Sequence, residues 1–541
     1  MRVKKGEHRC AAHARAHRYD NHMKKKITAV LIIAAMIASL LSACGGNGGN
    51  GGGSADGDRA VILRLPSAIT TLDWAGSNNT HDQKVYEQVY EGLYGMDEAN
   101  GGYYSELAKD IALNEDETVY TITLQEGVTF QNGDSLKASD VVFSYEWAMQ
   151  SAGMNYLTNM IESVEAIDDQ TVQLTLKTPY SPIAHTLFRI KIMSEREITE
   201  QGETFGTVPN KAGTGPYYFD TYDVASGATL KAYEDYWKGS PAIKAIDYRV
   251  LADNAAAVIS FENGELDYYE DAALSDWDSL QAAAGENSAM IKGNNIIWLG
   301  INYAANDVLG NEKVRQAIFY AVNKEDINLA VCDGMGVEAT QYMPSEYVPT
   351  SPEDGFETYD YSLEKARQLL AEAGYPDGVD AGTILTTTAD HSAKTAQVIQ
   401  ANLAEAGIHV EVSAVDVSLA VEKWNAQEFD ICVYGDSGNY DFNNIRQQIH
   451  SESVGMYVIK YEGGPFEWQA WEDLLAQGVA VADVDARKEI YRKLWAMVAD
   501  SATILPCLHR PVAIVWSDDL DIGEPVPTYY KVYNFKWKDA Q

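Results

Sequence analysis

Cysteine is scarce in this chain of 541 residues, and its five cysteines are too widely spaced for a disulfide framework or a Cys-x-x-Cys motif. Cys10 and Cys44 lie near the N-terminus, so only Cys332, Cys432 and Cys507 remain in the body of the chain. Isolated cysteines of this kind usually pack as small apolar side chains. We therefore predict three buried, unpaired thiols.

The motifs of common catalytic sites are also missing. The sequence has no G-x-S-x-G elbow, no H-E-x-x-H motif and no Walker loop, and the Gly-Thr-Gly at 213–215 lacks dinucleotide-binding spacing. None of the six histidines after residue 44 lies four residues from another, which gives little support to a zinc or nickel site built by the protein. We predict no enzyme activity, no catalytic residue, no cofactor and no protein-built metal site; a metal held through a chelator stays an open alternative.

Basic residues are outnumbered, with 41 Lys and Arg against 79 Asp and Glu and a net charge of −38. Residues 1–43 contain nine Lys or Arg and two Asp or Glu, so the chain without them carries −45. Such a chain repels nucleic acid phosphates and anionic lipid headgroups. We predict no nucleic-acid partner and no direct binding to a membrane surface.

No apolar run reaches the roughly 20 residues that a membrane span needs. The run from Ile27 to Leu40 follows three lysines and is closed by Leu41-Ser42-Ala43-Cys44, an order typical of a signal peptide. The closing tetrapeptide resembles a bacterial lipoprotein box. It predicts lipidation of Cys44 and a protein anchored at the outer face of the bacterial cytoplasmic membrane or in the periplasm; an ordinary cleaved secretory signal is the alternative.

This signal peptide begins at Met23, where the basic and apolar segments are correctly ordered. Residues 1–22 include four histidines and Cys10, but we interpret them as a misassigned extension and not as a metal-binding tract. Residues 1–43 therefore form the leader and lipoprotein signal peptide. Residues 44–57 are rich in Gly, Asn and Ser, which predicts a flexible linker.

Hydrophobic patterns predict alternating strands and helices after the linker. Branched residues at 60–65 indicate a strand, VYEQVYEGLY at 85–94 a helix, and the alternation around Asp168-Asp169 a β-hairpin. Residues 382–388, 392–406 and 408–414 read as strand, helix and strand, a βαβ unit with a parallel strand pair. The chain is therefore predicted to have an α/β fold.

Several stretches resemble one known family. They are 107–147, GTGPYY at 213–218, the PAIKAIDYRV to FENGELDY run at 241–268, LGINYAAND to NEKVRQAIFYAVNKEDI at 299–327, and YSLEKARQLLAEAGYPDG at 361–378. Together, in this order, they look like family 5 extracellular solute-binding proteins, the peptide and nickel receptors of ABC importers. The resemblance covers nearly all of residues 59–541.

The resemblance implies an α/β, two-lobed periplasmic-binding-protein-like fold of the class II type with an inserted third subdomain. Lobe I would be assembled from residues 58–92, 206–296 and 504–541. The inserted subdomain would be 93–205, and lobe II would be 297–503.

The loop from Gly435 to Asn443, at the end of the predicted strand FDICVYG, is the first candidate ligand site, because ligands of open α/β sheets bind beyond the carboxyl ends of strands. The candidates here are Tyr434, Asp436, Ser437, Asn439 and Asp441. In peptide-binding relatives a loop aspartate receives the peptide α-ammonium, whereas this chain has Asn439 at the matching position. Either Asp436 or Asp441 takes over that role, or the receptor accepts solutes without a free amine; we expect the second. Ordinary turn chemistry is the alternative for the whole loop.

Two further pairs are implied to flank the hinge between the lobes. They are Asn302 with Tyr303, and His509 with Arg510. A salt bridge for Arg510 and a neutral, hydrogen-bonded imidazole for His509 are the structural alternatives. Asn78 and Asn79, with His81, form a lobe I loop candidate.

The function that the resemblance implies is a monomeric receptor that encloses oligopeptides or similar small solutes between its lobes. It would deliver them to ABC permease and ATPase subunits. The alternatives are a surface receptor that senses peptides without import, or a receptor for a nickel chelate, a sugar or an opine. A hydrolase on this scaffold is disfavoured by the missing nucleophile and base.

Overall fold

The first strand of the folded body covers Ala60–Leu65, where the branched residues predict it. The computed structural model describes residues 59–77, 79–97, 102–151, 153–341, 358–436, 468–481, 483–526 and 528–538. The predicted leader and linker lie outside the described residues, as do Asn78, Ser437, Asn439 and Asp441. Within the described ranges, no helix has both the length and the apolar composition that crossing a membrane requires.

The first half contains mostly short strands and short helices and ends with one long strand. They are β1 (Ala60–Leu65), α1 (Thr80–Tyr86), β2 (Tyr94–Asp97), β3 (Gly102–Ser105), β4 (Ala108–Leu113), β5 (Val119–Leu124), α2 (Ala138–Gln150), β6 (Ile161–Ala166), β7 (Thr171–Leu176), α3 (Ile183–Arg189), α4 (Glu195–Gln201), β8 (Tyr217–Asp223), β9 (Gly227–Ala232), β10 (Ala245–Val250), α5 (Asn254–Glu262), β11 (Tyr268–Glu270), α6 (Trp277–Ala284) and β12 (Ser288–Ile301).

The second half has longer helices. Its elements are α7 (Asp307–Gly310), α8 (Glu312–Ala321), α9 (Lys324–Cys332), β13 (Val337–Glu338), α10 (Leu363–Glu372), β14 (Val379–Thr387), α11 (Asp390–Ala406), β15 (Ile408–Val415), α12 (Val417–Asn425), β16 (Ile431–Asp436), α13 (Trp468–Ala480), α14 (Val484–Ser501), β17 (Ile504–Trp516), β18 (Leu520–Asp521) and β19 (Lys536–Trp537).

One mixed sheet carries both halves. Its strand order is β15-β14-β16-β12-β17-β11-β1-β10-β9-β8, and β13 pairs with β17. The long antiparallel strands β12 and β17 run side by side through its centre and connect the two halves. Their register shifts between Ile291 and Asn295, so the pairing is irregular midway along both strands.

The sequence patterns of the second half are confirmed. Strands β14 and β15 are parallel and joined by α11, which gives the predicted βαβ unit. Ser362 caps α10, because its hydroxyl accepts a hydrogen bond from the Lys365 backbone N–H at 3.2 Å. The helix α11 ends at Gly407, whose φ of +88° suits a glycine. The predicted hairpin around Asp168-Asp169 is the pair β6 and β7.

The three cysteines of the body, Cys332, Cys432 and Cys507, are buried and form no disulfide bond, as predicted. Burial raises the pKa of the Cys332 thiol to about 11. All three therefore pack as apolar side chains in the core.

Apolar cores cover both faces of the sheet. One core runs from β1 through β5, β7 and α2, so residues of the predicted inserted subdomain share it with those of predicted lobe I. In the second half, α8, α10 and α11 cover one face and α12, α13 and α14 the other. The sheet is therefore fixed from both sides wherever helices pack on it.

The helix predicted over residues 85–94 is wrong. The helix α1 starts earlier, where the Asn79 side chain accepts a hydrogen bond from the His81 backbone N–H at 2.8 Å, and ends at Tyr86. The residues after Tyr86 form a turn that packs against Gly213 and Gly215. The Gly215 backbone N–H donates a hydrogen bond to the Val89 carbonyl at 2.9 Å. The apolar residues after Tyr86 are therefore buried by a distant segment and not by a helix face.

A buried carboxylate strengthens the same junction. Glu91, 1% exposed at its side chain, accepts hydrogen bonds from Tyr236 at 2.6 Å and from Thr214 and Trp237 at 2.9 Å. Burial lowers the pKa of the nearby Lys238 ammonium to about 8. These contacts hold the segment after α1 against the 213–215 run, which fixes α1 on the sheet.

Candidate functional site

A cavity of about 190 Å³ lies where β12 and β17 change register. Its lining residues come from segments far apart in the sequence: Thr80, His81, Lys84, Glu270, Asp271, Asn295, Ile296, Ile297, His391, Gly435, Arg510, Val512 and Thr528. Ile297, His391 and Gly435 belong to predicted lobe II, and the other lining residues belong to predicted lobe I. The cavity therefore gathers side chains from both halves of the chain.

The carboxyl ends of three strands open into this cavity. Glu270 is the last residue of β11, Gly435 lies near the end of β16, and His391 follows the end of β14 in the first turn of α11. This is where ligands bind in open α/β sheets. The N-terminal turns of α1 and α11 also line the cavity, so its walls are built from helices and strands.

An ion pair closes one side of the cavity. Lys84 Nζ lies 2.8 Å from Glu270 Oε1, and the two side chains are only 10% and 6% exposed. Burial, with the charge of Lys84, lowers the pKa of His81 to about 4, so this imidazole is neutral at pH 7. The charges of Lys84 and Glu270 therefore balance each other, and His81 contributes hydrogen-bonding groups without charge.

A second, looser ion pair faces the cavity. Arg510 Nη2 lies 3.6 Å from Asp271 Oδ1, which is longer than a hydrogen bond. The Asp271 side chain is 44% exposed and that of Arg510 is 19% exposed. Both groups therefore keep hydrogen-bonding capacity that a solute can use.

On the opposite wall, His391 approaches Gly435 closely. A Cβ added at Gly435 would lie 2.9 Å from His391 Nε2, so any larger residue there would displace this ring. Gly435 was predicted as the start of the ligand loop, and the structure places it on the cavity. The sequence pattern did not identify His391.

The predicted candidates differ in where they lie. Arg510 lines the cavity, and His509, which pairs with Ile296 in register, is buried beside it. Asn79 is exposed and caps α1, which places His81 in the cavity. Tyr434 packs edge-on against Trp424, with ring centroids 4.8 Å apart, as part of a hydrophobic core. Asp436 ends β16 opposite Ile296.

Asn302 and Tyr303 are not brought together with Arg510. Asn302 follows the far end of β12, where its amide donates to the Phe429 carbonyl at 3.0 Å and its backbone N–H to the Asp430 carbonyl. Tyr303 lies 5.9 Å from the Arg315 guanidinium. Asn302 and Tyr303, predicted where the chain enters lobe II, therefore lie away from this cavity, because β12 reaches Arg510 already at Asn295.

Lys84, Glu270, Asp271, Asn295 and Thr528 were missed by the sequence analysis. Glu270 and Asp271 lie two and three residues after the FENGELDY run, and their position at the end of a strand was the available signal. In the described part of the chain, no group of three or more His, Cys, Asp or Glu side chains is placed to bind a metal ion.

Comparison with known proteins agrees with this architecture. Residues 102–448 match the model of bacterial extracellular solute-binding proteins, family 5 Middle. The chain is 30% identical over 371 residues to the glutathione-binding protein GsiB of Escherichia coli O1:K1 / APEC, covering 66% of this chain and 70% of GsiB.

Solved structures share the two-lobed fold. HbpA2 of Haemophilus parasuis superposes with a TM-score of 0.74 at 26% identity, covering 89% of this chain and all of HbpA2. The ABC transporter substrate-binding protein CtaP of Listeria monocytogenes gives a TM-score of 0.76 at 20% identity, covering 90% of this chain and all of CtaP. Such proteins bind solutes for ABC transporters and are not enzymes. The chain belongs to the bacterial extracellular solute-binding proteins of family 5.

Proposed function

We propose that this protein is a lipid-anchored extracytoplasmic receptor that encloses a small peptide-like solute in the cavity beside Arg510 and delivers it to an ABC importer. The solute lies between predicted lobe I, with boundaries 58–92, 206–296 and 504–541, and predicted lobe II, 297–503. Closure about the β12 and β17 crossing buries it. The receptor is a monomer, and its partners are the permease and ATPase subunits.

The cavity is the observation that carries this proposal. Nine of its thirteen lining residues are polar or charged and come from both halves, and Ile296, Ile297 and Val512 supply its apolar walls. Its volume of about 190 Å³ is smaller than that of typical ligand pockets, roughly 300–1,000 Å³. A tripeptide-sized solute therefore needs some rearrangement of the walls on binding, which a hinge provides.

Mass spectrometry of small molecules released from the purified protein tests the proposal. We expect a peptide-like solute, and adding it back should reduce the radius of gyration in solution scattering because the lobes close on it. A tight ligand that leaves the scattering curve unchanged would contradict closure. Recovery of only a nickel chelate would overturn the peptide-like assignment.

The lipid anchor has its own test. We expect Cys44→Ala to abolish incorporation of a labelled fatty acid and to move the protein out of the membrane fraction, because Cys44 alone ends the signal peptide. Cys10→Ala is the control and should change nothing, since translation is proposed to start at Met23. Membrane-bound wild-type protein with an unmodified Cys44 thiol would refute the anchor.

A further inference from the structure

Two acid–base pairs border the cavity, and they differ in what they offer a solute. The Lys84–Glu270 pair is short, at 2.8 Å, and nearly enclosed, so its charges are already compensated. The Arg510–Asp271 pair is 3.6 Å apart and partly exposed. A solute that inserts polar groups between these two side chains therefore meets a guanidinium on one side and a carboxylate on the other.

The backbone holds Asp271 in an unusual conformation. Its φ is +53°, in the left-handed region that few residues other than glycine adopt. Strand β11 pairs with β17 up to Glu270, and the pairing continues when the Ala272 N–H donates to the Ala513 carbonyl at 3.1 Å. Asp271 thus bulges toward the cavity at the end of β11, a strand that is paired on both sides. Residues with such strained backbones cluster at ligand sites.

We propose that Arg510 and Asp271 together recognise a zwitterionic α-amino-acid head group, with the solute carboxylate on Arg510 and the solute ammonium on Asp271. This rests on the proposed function, and it names the class of solute. Ammonium and carboxylate on one carbon lie about 3 Å apart, which matches two anchors spaced by 3.6 Å. The termini of an extended α-linked tripeptide are roughly 10 Å apart and cannot both reach the pair.

The charge of the cavity agrees with such a head group. Lys84 balances Glu270, Arg510 balances Asp271, and His81 is neutral at pH 7 because its pKa is lowered to about 4. Apart from His391, the titratable side chains of the lining therefore sum to zero charge, and a net-neutral head group leaves no buried charge unpaired. Free amino acids and γ-linked glutamyl peptides carry this group, whereas ordinary peptides do not.

Asp271 also changes the expectation drawn from Asn439. That residue lies outside the described part of the chain, and its lack of charge predicted a receptor indifferent to a free amine. Asp271 supplies a carboxylate from the end of another strand. The proposed head group therefore needs its free ammonium, which sits on the same carbon as the solute carboxylate.

Titration calorimetry with reduced glutathione, its N-acetyl derivative and the α-linked isomer Glu-Cys-Gly tests the head group. We expect glutathione to bind about a hundredfold more tightly than either of the others, because each of them lacks one half of the zwitterion. Asp271→Asn should reduce the ratio between glutathione and N-acetylglutathione to less than about tenfold. Asparagine tolerates a positive φ, so the fold should survive this substitution.

Asp278→Asn is the matched control, since Asp278 is an exposed carboxylate that does not line the cavity. It should leave every affinity ratio unchanged. Equal losses for both glutathione forms in Asp271→Asn overturn the inference, as does equal affinity for the α-linked isomer.

A panel that adds free L-glutamine, γ-glutamylcysteine and α-linked tripeptides separates the two proposals. Tight binding of α-linked peptides alone overturns the head-group inference and leaves the receptor function standing. If nothing in the panel binds and the purified protein releases no solute, the receptor function itself is refuted.

Discussion

Gly213→Ala is expected to lower the free energy of unfolding by about 3 kcal/mol or more, the upper part of the range for overpacked cores. An added Cβ would lie 2.0 Å from the Val89 carbonyl oxygen and 2.8 Å from its carbon. That carbonyl already accepts hydrogen bonds from the Gly215 backbone and the Gln131 side chain, both at 2.9 Å. Relief of the clash therefore requires moving a bonded backbone segment, which costs more than rotating a side chain.

The consequence reaches the cavity, because the Val89 turn directly follows α1, which carries His81 and Lys84. We expect Gly213→Ala also to weaken solute binding where the protein remains folded. The motif GTGPYY, which resembles the family pattern, thus has a structural role here, since its glycines allow two backbones to approach.

Gly102→Ala is the matched control, because a Cβ there meets no atom within 4 Å. Its free energy of unfolding should stay within about 0.5 kcal/mol of the wild type. Both variants are compared by denaturant-induced unfolding followed by circular dichroism. If Gly213→Ala is as stable as Gly102→Ala, the packing of the 213–215 run is not as described.

Local patterns predicted elements whose cause is local. Ser362 caps its own helix, Gly407 ends α11 by its backbone conformation, and the alternation after it forms β15. The extent of α1 was missed because the residues that bury its continuation, Gly213 and Gly215, are more than a hundred positions away. No periodicity within residues 85–94 contains that information.

The site was predicted only in part for the same reason. Arg510 was a candidate from the resemblance, and Gly435 begins the loop predicted from the rule that ligands bind at strand ends; both line the cavity. Asp271 and His391 were missed, since their neighbourhood depends on the register of β12 with β17. The resemblance implied that Asn302 flanks the hinge, but it does not show how far Asn302 lies from Arg510, because the strand is 14 residues long and Arg510 pairs near its middle.

Acid sensitivity is the second large effect, and it arises from two largely buried histidines, His81 and His185. Burial lowers the pKa of His81 to about 4, with Lys84 adding to the shift. Burial also lowers the pKa of His185 to about 3, with Arg189 and Lys191 adding to it. Both values lie below the 6.5 of a free histidine, so the unfolded chain binds more protons between pH 6.5 and these values.

Stability must therefore fall as the pH falls through this window, and the loss from the histidines ends below their folded pKa values. At pH 5 each histidine should cost about 1 to 2 kcal/mol of unfolding free energy, allowing for partial solvent screening. We expect His81→Gln with His185→Gln to remove about 2 to 4 kcal/mol of the difference in stability between pH 7.5 and pH 5.

The measured quantity is the difference in unfolding free energy between two pH values. A packing loss that is the same at both pH values therefore cancels. The contribution of the carboxylates also cancels, because the wild type and the variants share them. His185 accepts or donates a hydrogen bond with the Tyr103 hydroxyl at 3.1 Å, and glutamine can replace that contact. His409→Gln is the control, because His409 is exposed on β15, and its pH dependence should match the wild type. Denaturant unfolding at both pH values decides the matter: a double variant that loses as much stability as the wild type on acidification would show that neither imidazole resists protonation in the folded protein.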